Sequence, residues 1–276
     1  MDKESLILVE GQRVGPSSVI LTGVHGDERC GIDAVERVLP DLKIESGKVW
    51  VGYGNPQAVE QNVRFAEANL NRMFKPDDTL SKSEKNSYEY GRAQYLKKYL
   101  DEVDVLLDIH ASFTPNARPF VLCEMNAFEI VKYLPFDLMV TGFDNVEPGG
   151  TDYYMNRMGK IGICVECGYI KDPASTVKAE ESIFSFLKAR GHITGETKAA
   201  LISHIHMYQL YITKTDKFSL TKPFGDFEPV AQGKIIGKDG NDRVVAPKNS
   251  VILFARNCTR KGEEAFLLGE EMDSPA

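Results

Sequence analysis

Several features that would each have fixed a class are missing from this 276-residue chain. No window approaches the ~18 consecutive apolar residues that a bilayer crossing needs, so no membrane-spanning helix is expected. The opening Met1-Asp2-Lys3-Glu4 leads into a short apolar run. It has neither the long hydrophobic core nor the small-residue cleavage site of a secretory signal. Lys/Arg clusters are absent and the formal net charge is −7, which makes nucleic acid and acidic polymers unsuitable partners. A small anion stays open, because one or two local arginines can dominate a pocket. Cysteines number five, an odd count in a chain too large to need staples, and are read as reduced thiols in a cytoplasmic protein. There is no internal repeat, no low-complexity tract and no H-E-x-x-H metalloprotease motif.

What is present is an ordinary globular composition, 42% hydrophobic and 26% charged, with length for one large domain or a domain plus a smaller one. Apolar, β-branched runs at 18–22, 48–53, 103–109, 120–123, 138–141 and 161–165 predict strands. Between them lie helical patterns, one with Ile32, Val35, Val38 and Leu39 on one face. Asn55-Pro56 reads as an N-cap with Pro at the first helical position. Tyr88, Tyr95, Leu96 and Tyr99 mark the core face of one long helix over about 84–102. Another helix, about 174–190, ends at Gly191. Strands alternating with helices imply a covered, largely parallel sheet in a three-layer α/β fold. Near Leu201 the pattern changes to short strands (205–212, 234–237, 243–246, 251–255) separated by turn signals. That predicts a small all-β domain over 201–276 after an α/β domain over 1–200.

His25 and Glu28 form an H-x-x-E pair just after the first of these strands, and His110 follows another strand 82 residues later. Two imidazoles and a carboxylate are a donor set that catalytic zinc accepts, leaving one position open. Sites in open α/β sheets lie beyond the carboxyl ends of strands, where His25, His110 and Glu166 all fall. Asp108, two residues before His110, projects the same way from a strand and is a candidate to orient a ligand histidine.

Gly23-Val24-His25-Gly26-Asp27-Glu28 resembles the first metal motif of the succinylglutamate desuccinylase/aspartoacylase family, which is related to the zinc carboxypeptidases. Asn69-Leu70-Asn71-Arg72 resembles its substrate-binding motif, Asp108-Ile109-His110 its third-ligand motif, and Val165-Glu166-Cys167-Gly168 its catalytic glutamate motif. The four occur in the family's order over roughly residues 20–170. The resemblance implies a zinc-carboxypeptidase-like mixed sheet, a C-terminal β domain flanking the active site, and one Zn2+ per chain held by His25, Glu28 and His110. It implies Glu166 as general base, Arg64 as stabiliser of the tetrahedral oxyanion, and Asn71 with Arg72 as the grip on a substrate carboxylate. The expected activity is hydrolysis of the amide bond in a small anionic N-acyl amino acid. A metallocarboxypeptidase acting on short peptides and a non-catalytic metal-binding relative are the alternatives. Homo-oligomer formation is left open. One position departs from the family: Asn69 stands where Asp is usual, which leaves the way Arg64 and Arg72 are held in question.

Other features carry less. Cys164 and Cys167 would point to opposite faces of a strand, unsuited to joint chelation. His204 and His206 share a strand face. His192 follows a helix end and is placed against the last carbonyls. Arg118 is a candidate for a second substrate carboxylate, and Gly149 to Tyr153 a Gly-rich turn able to line the acyl pocket.

Overall fold

A computed structural model describes residues 5–274. The strands are β1 (Ile7–Glu10), β2 (Arg13–Thr22), β3 (Ser46–Tyr53), β4 (Val105–Ser112), β5 (Phe120–Cys123), β6 (Leu138–Thr141) and β7 (Ile161–Tyr169). There follow β8 (Ser203–Ile212), β9 (Phe218–Leu220), β10 (Glu228–Val230), β11 (Ile235–Asp239), β12 (Asp242–Val245), β13 (Ser250–Leu253) and β14 (Glu264–Met272). Eleven of them form one mixed sheet, in the order β1-β3-β2-β4-β7-β5-β6-β8-β14-β13-β10, and β12-β11-β9 form a small antiparallel sheet near the C-terminus.

The centre of the large sheet, β3-β2-β4-β7, is parallel. All eight residues of β4 are buried, as a strand covered on both faces requires. Alternate side chains divide between two cores. Leu107 and Ile109 join Val35, Ile183 and Phe186 of helices 29–38 and 173–189 on one face. Leu106 joins Leu96, Leu100 and Met155 of helices 88–100 and 151–157 on the other. The expected three-layer mixed α/β architecture is therefore present, with the small antiparallel sheet beside it.

One local difference from the sequence reading has a clear cause. The helix expected over 84–102 is two, Lys82–Lys85 and Tyr88–Leu100, because each has its own cap. Ser81 and Glu84 form a capping box, and the Ser87 side chain accepts the Tyr90 N–H. Beyond residue 201, β8 pairs in parallel with β6, and β14, β13 and β10 continue the large sheet antiparallel. No helix among the described residues is long and apolar enough to cross a membrane.

Candidate metal centre and its surroundings

Three pieces of chain converge at the carboxyl ends of β2, β4 and β7. After β2 the chain turns sharply through His25-Gly26. A Cβ on Gly26 would lie 2.1 Å from the Ala58 carbonyl carbon, so only glycine lets this turn press against the helix 56–61. The parallel register sets His110 of β4 directly beside Glu166 of β7.

His25, Glu28 and His110 are all buried, and each offers one ligand atom with all three atoms within 4.8 Å of one another. The Glu28 carboxylate is the hub. Its Oε1 lies 2.8 Å from His25 Nδ1 and accepts from Arg64 at 3.0 Å. Its Oε2 lies 2.9 Å from His110 Nδ1 and accepts the Ala111 N–H at 3.1 Å. Burial alone would raise the Glu28 pKa, but His25 and His110 hold it well below the usual carboxylate range. Burial pushes His25 down, towards the neutral form that binds metal. For His110 burial acts downward too, but Cys164, Asp108 and Glu28 together raise it. Two imidazoles and an ionised carboxylate, mutually within reach, fit a divalent transition metal.

Each histidine is held from behind. Asn69 Oδ1 lies 3.1 Å from His25 Nε2 and also accepts the Asn71 N–H at 3.1 Å. The neutral amide thus keeps the orienting contact without a carboxylate's charge. Asp108 Oδ2 lies 3.3 Å from His110 Nε2 and accepts from Thr151 at 2.5 Å, as a residue orienting a ligand ring would.

Glu166 is buried, and its Oε2 has no hydrogen-bond partner in the protein. Burial, reinforced by the Glu28 charge, pushes its carboxyl up to about 8. A carboxyl poised near neutrality and aimed into a polar site can take and return a proton.

The remaining expected residues divide. Arg64 is at the centre, bonded to Glu28 with its guanidinium 5.5 Å from the Phe113 ring. Asn71 Oδ1 is buried without a partner. Arg72 is engaged: Nε and Nη2 both donate to Glu264 at 3.0 Å, Nη2 also to Glu147, and Nη1 to the Asn71 carbonyl at 2.8 Å. Arg118 is not brought to the site; it pairs with Asp137 at an exposed position. Each of His204 and His206 has a ring nitrogen 2.9 Å from Thr141 Oγ1, a polar cluster in its own right. The His192 ring nitrogens contact the Ser46 carbonyl and Ser18 Oγ, tying its loop to β2 and β3 rather than capping carbonyls with the ring. Cys164 lies near His110, whereas Cys167 faces Cys30 on the other side of β7.

One organising residue escaped the sequence reading. Fully buried Glu89 accepts the N–H groups of Ala66, Glu67 and Ala68 and the Asn55 amide. It moulds the loop that carries Arg64 and Asn69. A glutamate on the apolar face of the tyrosine-rich helix was the available signal.

Asp152, at the start of the helix 151–157, offers a stability test. Burial, aided by Asp144, raises its carboxyl from an ordinary 3.8 to about 7. The folded state then holds a proton that the unfolded state releases, so this contribution is complete below 3.8 and lost as pH climbs through about 7. Asp152→Asn should flatten the decline in urea-unfolding free energy between about pH 4 and 7. An identical slope in variant and wild type would dismiss the assignment.

Fold and side chains together define a mixed α/β protein with a metal-competent His-Glu-His centre beside a buried carboxyl. Residues 14–189 match the profile described as the succinylglutamate desuccinylase/aspartoacylase catalytic domain, and the chain belongs to that family. A succinylglutamate desuccinylase of Pseudoalteromonas atlantica is 26% identical over 180 residues, covering 55% of this chain and 50% of its own. An N-alpha-acetyl-L-2,4-diaminobutyric acid deacetylase of Halomonas elongata is 29% identical over 248 residues, covering 81% and 70%. With several curated relatives the match thus spans only about half of their length. The crystal structure of succinylglutamate desuccinylase from Vibrio cholerae superposes with a TM-score of 0.81 at 17% identity, covering 97% of this chain and 91% of that one. It is a likeness of fold. The curated relatives are named as deacylases and amidohydrolases of N-acyl amino acids.

Proposed function

We propose that this chain is a zinc-dependent hydrolase that cleaves the amide bond of a small N-acyl amino acid, with His25, Glu28 and His110 as the metal ligands. The observation that carries the reading is the buried Glu166 carboxyl, set by strand register beside His110 and held near neutrality. Bound zinc supplies Lewis acidity that makes water a nucleophile near neutral pH. Glu166 accepts the proton of the attacking water and returns it to the leaving amine. Arg64, permanently charged, faces the oxygen on which negative charge develops. The amine and the carboxylate leave as separate products, and Glu166 is restored. Residues 1–200 are taken as the catalytic domain and 201–276 as a β domain flanking the site. Five buried free cysteines suit a reducing compartment, the cytoplasm.

A short-peptide carboxypeptidase would share the metal and arginine motifs, and the paired Arg72 bears equally on both readings, so the substrate separates them. Zinc-supplied protein should be assayed against N-acetyl and N-succinyl amino acids and against short peptides. Acylated amino acids should show the higher kcat/KM. Faster cleavage of peptides, or no cleavage of any acyl amino acid, would overturn the function.

A further inference from the structure

Asp226 lies outside the four motifs, on the loop between β9 and β10, yet donors from two distant parts of the chain end on its carboxylate. Ser112 Oγ donates to Oδ2 and Thr114 Oγ1 to Oδ1, both at 3.1 Å. The Phe254 N–H, just past β13, donates to Oδ1 at 3.1 Å. A carboxylate, with about four lone-pair sites, accepts all three at once. Ser112 closes β4 two residues beyond His110, and its hydroxyl also accepts the Thr114 N–H. Asp226 therefore ties the start of the loop 113–119 to the C-terminal strands.

The backbone on the C-terminal side of this tie is strained. Phe227 has φ 62° and Phe254 φ 53°, a left-handed conformation that bulky residues seldom adopt. Such strain persists only where the surroundings over-determine it. Here they do. Both rings pack on Phe120, with centroids 4.9 and 6.2 Å away, and Phe120 stands opposite Glu166 in the register of β5 with β7. The Phe227 N–H donates to the Ile252 carbonyl, and that of Phe254 to Asp226. On the other side, the tied loop carries Phe113 between Ser112 and Thr114. Its half-exposed ring lies 5.5 Å from the Arg64 guanidinium, which Glu28 holds at 3.0 Å. A ring against the guanidinium restricts its tilt and leaves N–H groups for other acceptors.

Taking the deacylase function above as given, we infer that Asp226 is a positioning residue for Arg64. It clasps Ser112 and Thr114 to the C-terminal strands, and the clasped loop holds Phe113 over the guanidinium that faces the developing oxyanion. Misplacing such a donor by about 1 Å can cost roughly a hundredfold in rate. Asp226 also stands near enough to Glu166 to act on its charge, so the test must separate position from charge.

In zinc-supplied protein, Asp226→Ala should lower kcat on an N-acyl amino acid by about tenfold or more while KM moves less than about threefold. Asp226→Asn should recover most of that loss. Its amide oxygen still accepts from Thr114 and Phe254, and its NH2 donates to Ser112. No recovery would assign Asp226 to charge and overturn the positioning role. The decisive comparison is a double-mutant cycle with Arg64→Ala. Asp226→Ala should cost less than about twofold in that background. An equal loss with and without Arg64, or full kcat in Asp226→Ala, would overturn the inference. Phe113→Ala, which removes a half-exposed ring, supplies the same cycle if Asp226→Ala fails to fold, and an additive loss or none there is equally fatal. Hydrogen exchange followed by NMR without substrate keeps the two conclusions apart. Asp226→Ala, or Phe113→Ala in its place for the guanidinium alone, should speed exchange at the Phe254 N–H and the Arg64 guanidinium by about tenfold. Unchanged protection defeats the clasp whatever the activity. Expected exchange in a wild type that turns over no N-acyl amino acid defeats the deacylase function and leaves the clasp.

Discussion

Glu166→Gln should keep its metal and lose roughly two to four orders of magnitude in kcat, the usual span of a general acid–base contribution. Glutamine preserves volume and the strand register that sets residue 166 beside His110. It removes only the capacity to hold a proton. Because Oε2 is buried without a partner, the substitution breaks no hydrogen bond made by that oxygen. Zinc content by atomic emission should match wild type, and KM should move far less than kcat, since the proton transfer belongs to the transition state. Turnover within tenfold of wild type would remove Glu166 from the base role.

His110→Ala should abolish stable zinc binding. Loss of an outer contact to a ligand histidine commonly costs 10–100-fold in metal affinity, so loss of a ligand itself should cost more than about a hundredfold. The consequence spreads through Glu28, whose Oε2 faces His110 Nδ1 at 2.9 Å and is left with only the Ala111 N–H. Wild-type protein should gain thermal stability when zinc is added, because the ion binds the folded state, and His110→Ala should gain none. Stoichiometric zinc retained through dialysis of the variant would contradict the ligand set.

The sequence exposed what depends on neighbours along the chain. His25 and Glu28 are three residues apart; His110 and Glu166 were expected just past strand ends, but β4 runs on to Ser112 and β7 to Tyr169, so both lie inside their strands near the carboxyl ends. Pairing across the fold was closed to it. Arg72 looks like an open fork in its motif, yet its partners lie 75 and 192 residues away. Glu89 stands on the apolar face of the tyrosine-rich helix, but its role depends on the loop at 66–68, which turns its N–H groups towards it. β14 was not among the expected strands because its apolar stretch is only Ala265 to Leu268, followed by Gly269 and two glutamates. Its place inside the sheet comes from β8 and β13 on either side. The split in the tyrosine-rich helix was legible in Ser81, Glu84 and Ser87, but apolar spacing masked the caps.

The insertion of β14 between β8 and β13 also has a consequence for synthesis. During translation β8 emerges some fifty residues before its partner, and β13 before the strand that joins it to β8. Until then β8 presents an unpaired, apolar edge, which is an aggregation hazard. The same late strand delivers Glu264 to Arg72. The nascent chain can thus bring His25, Glu28, His110 and Glu166 together while Arg72 still lacks that partner.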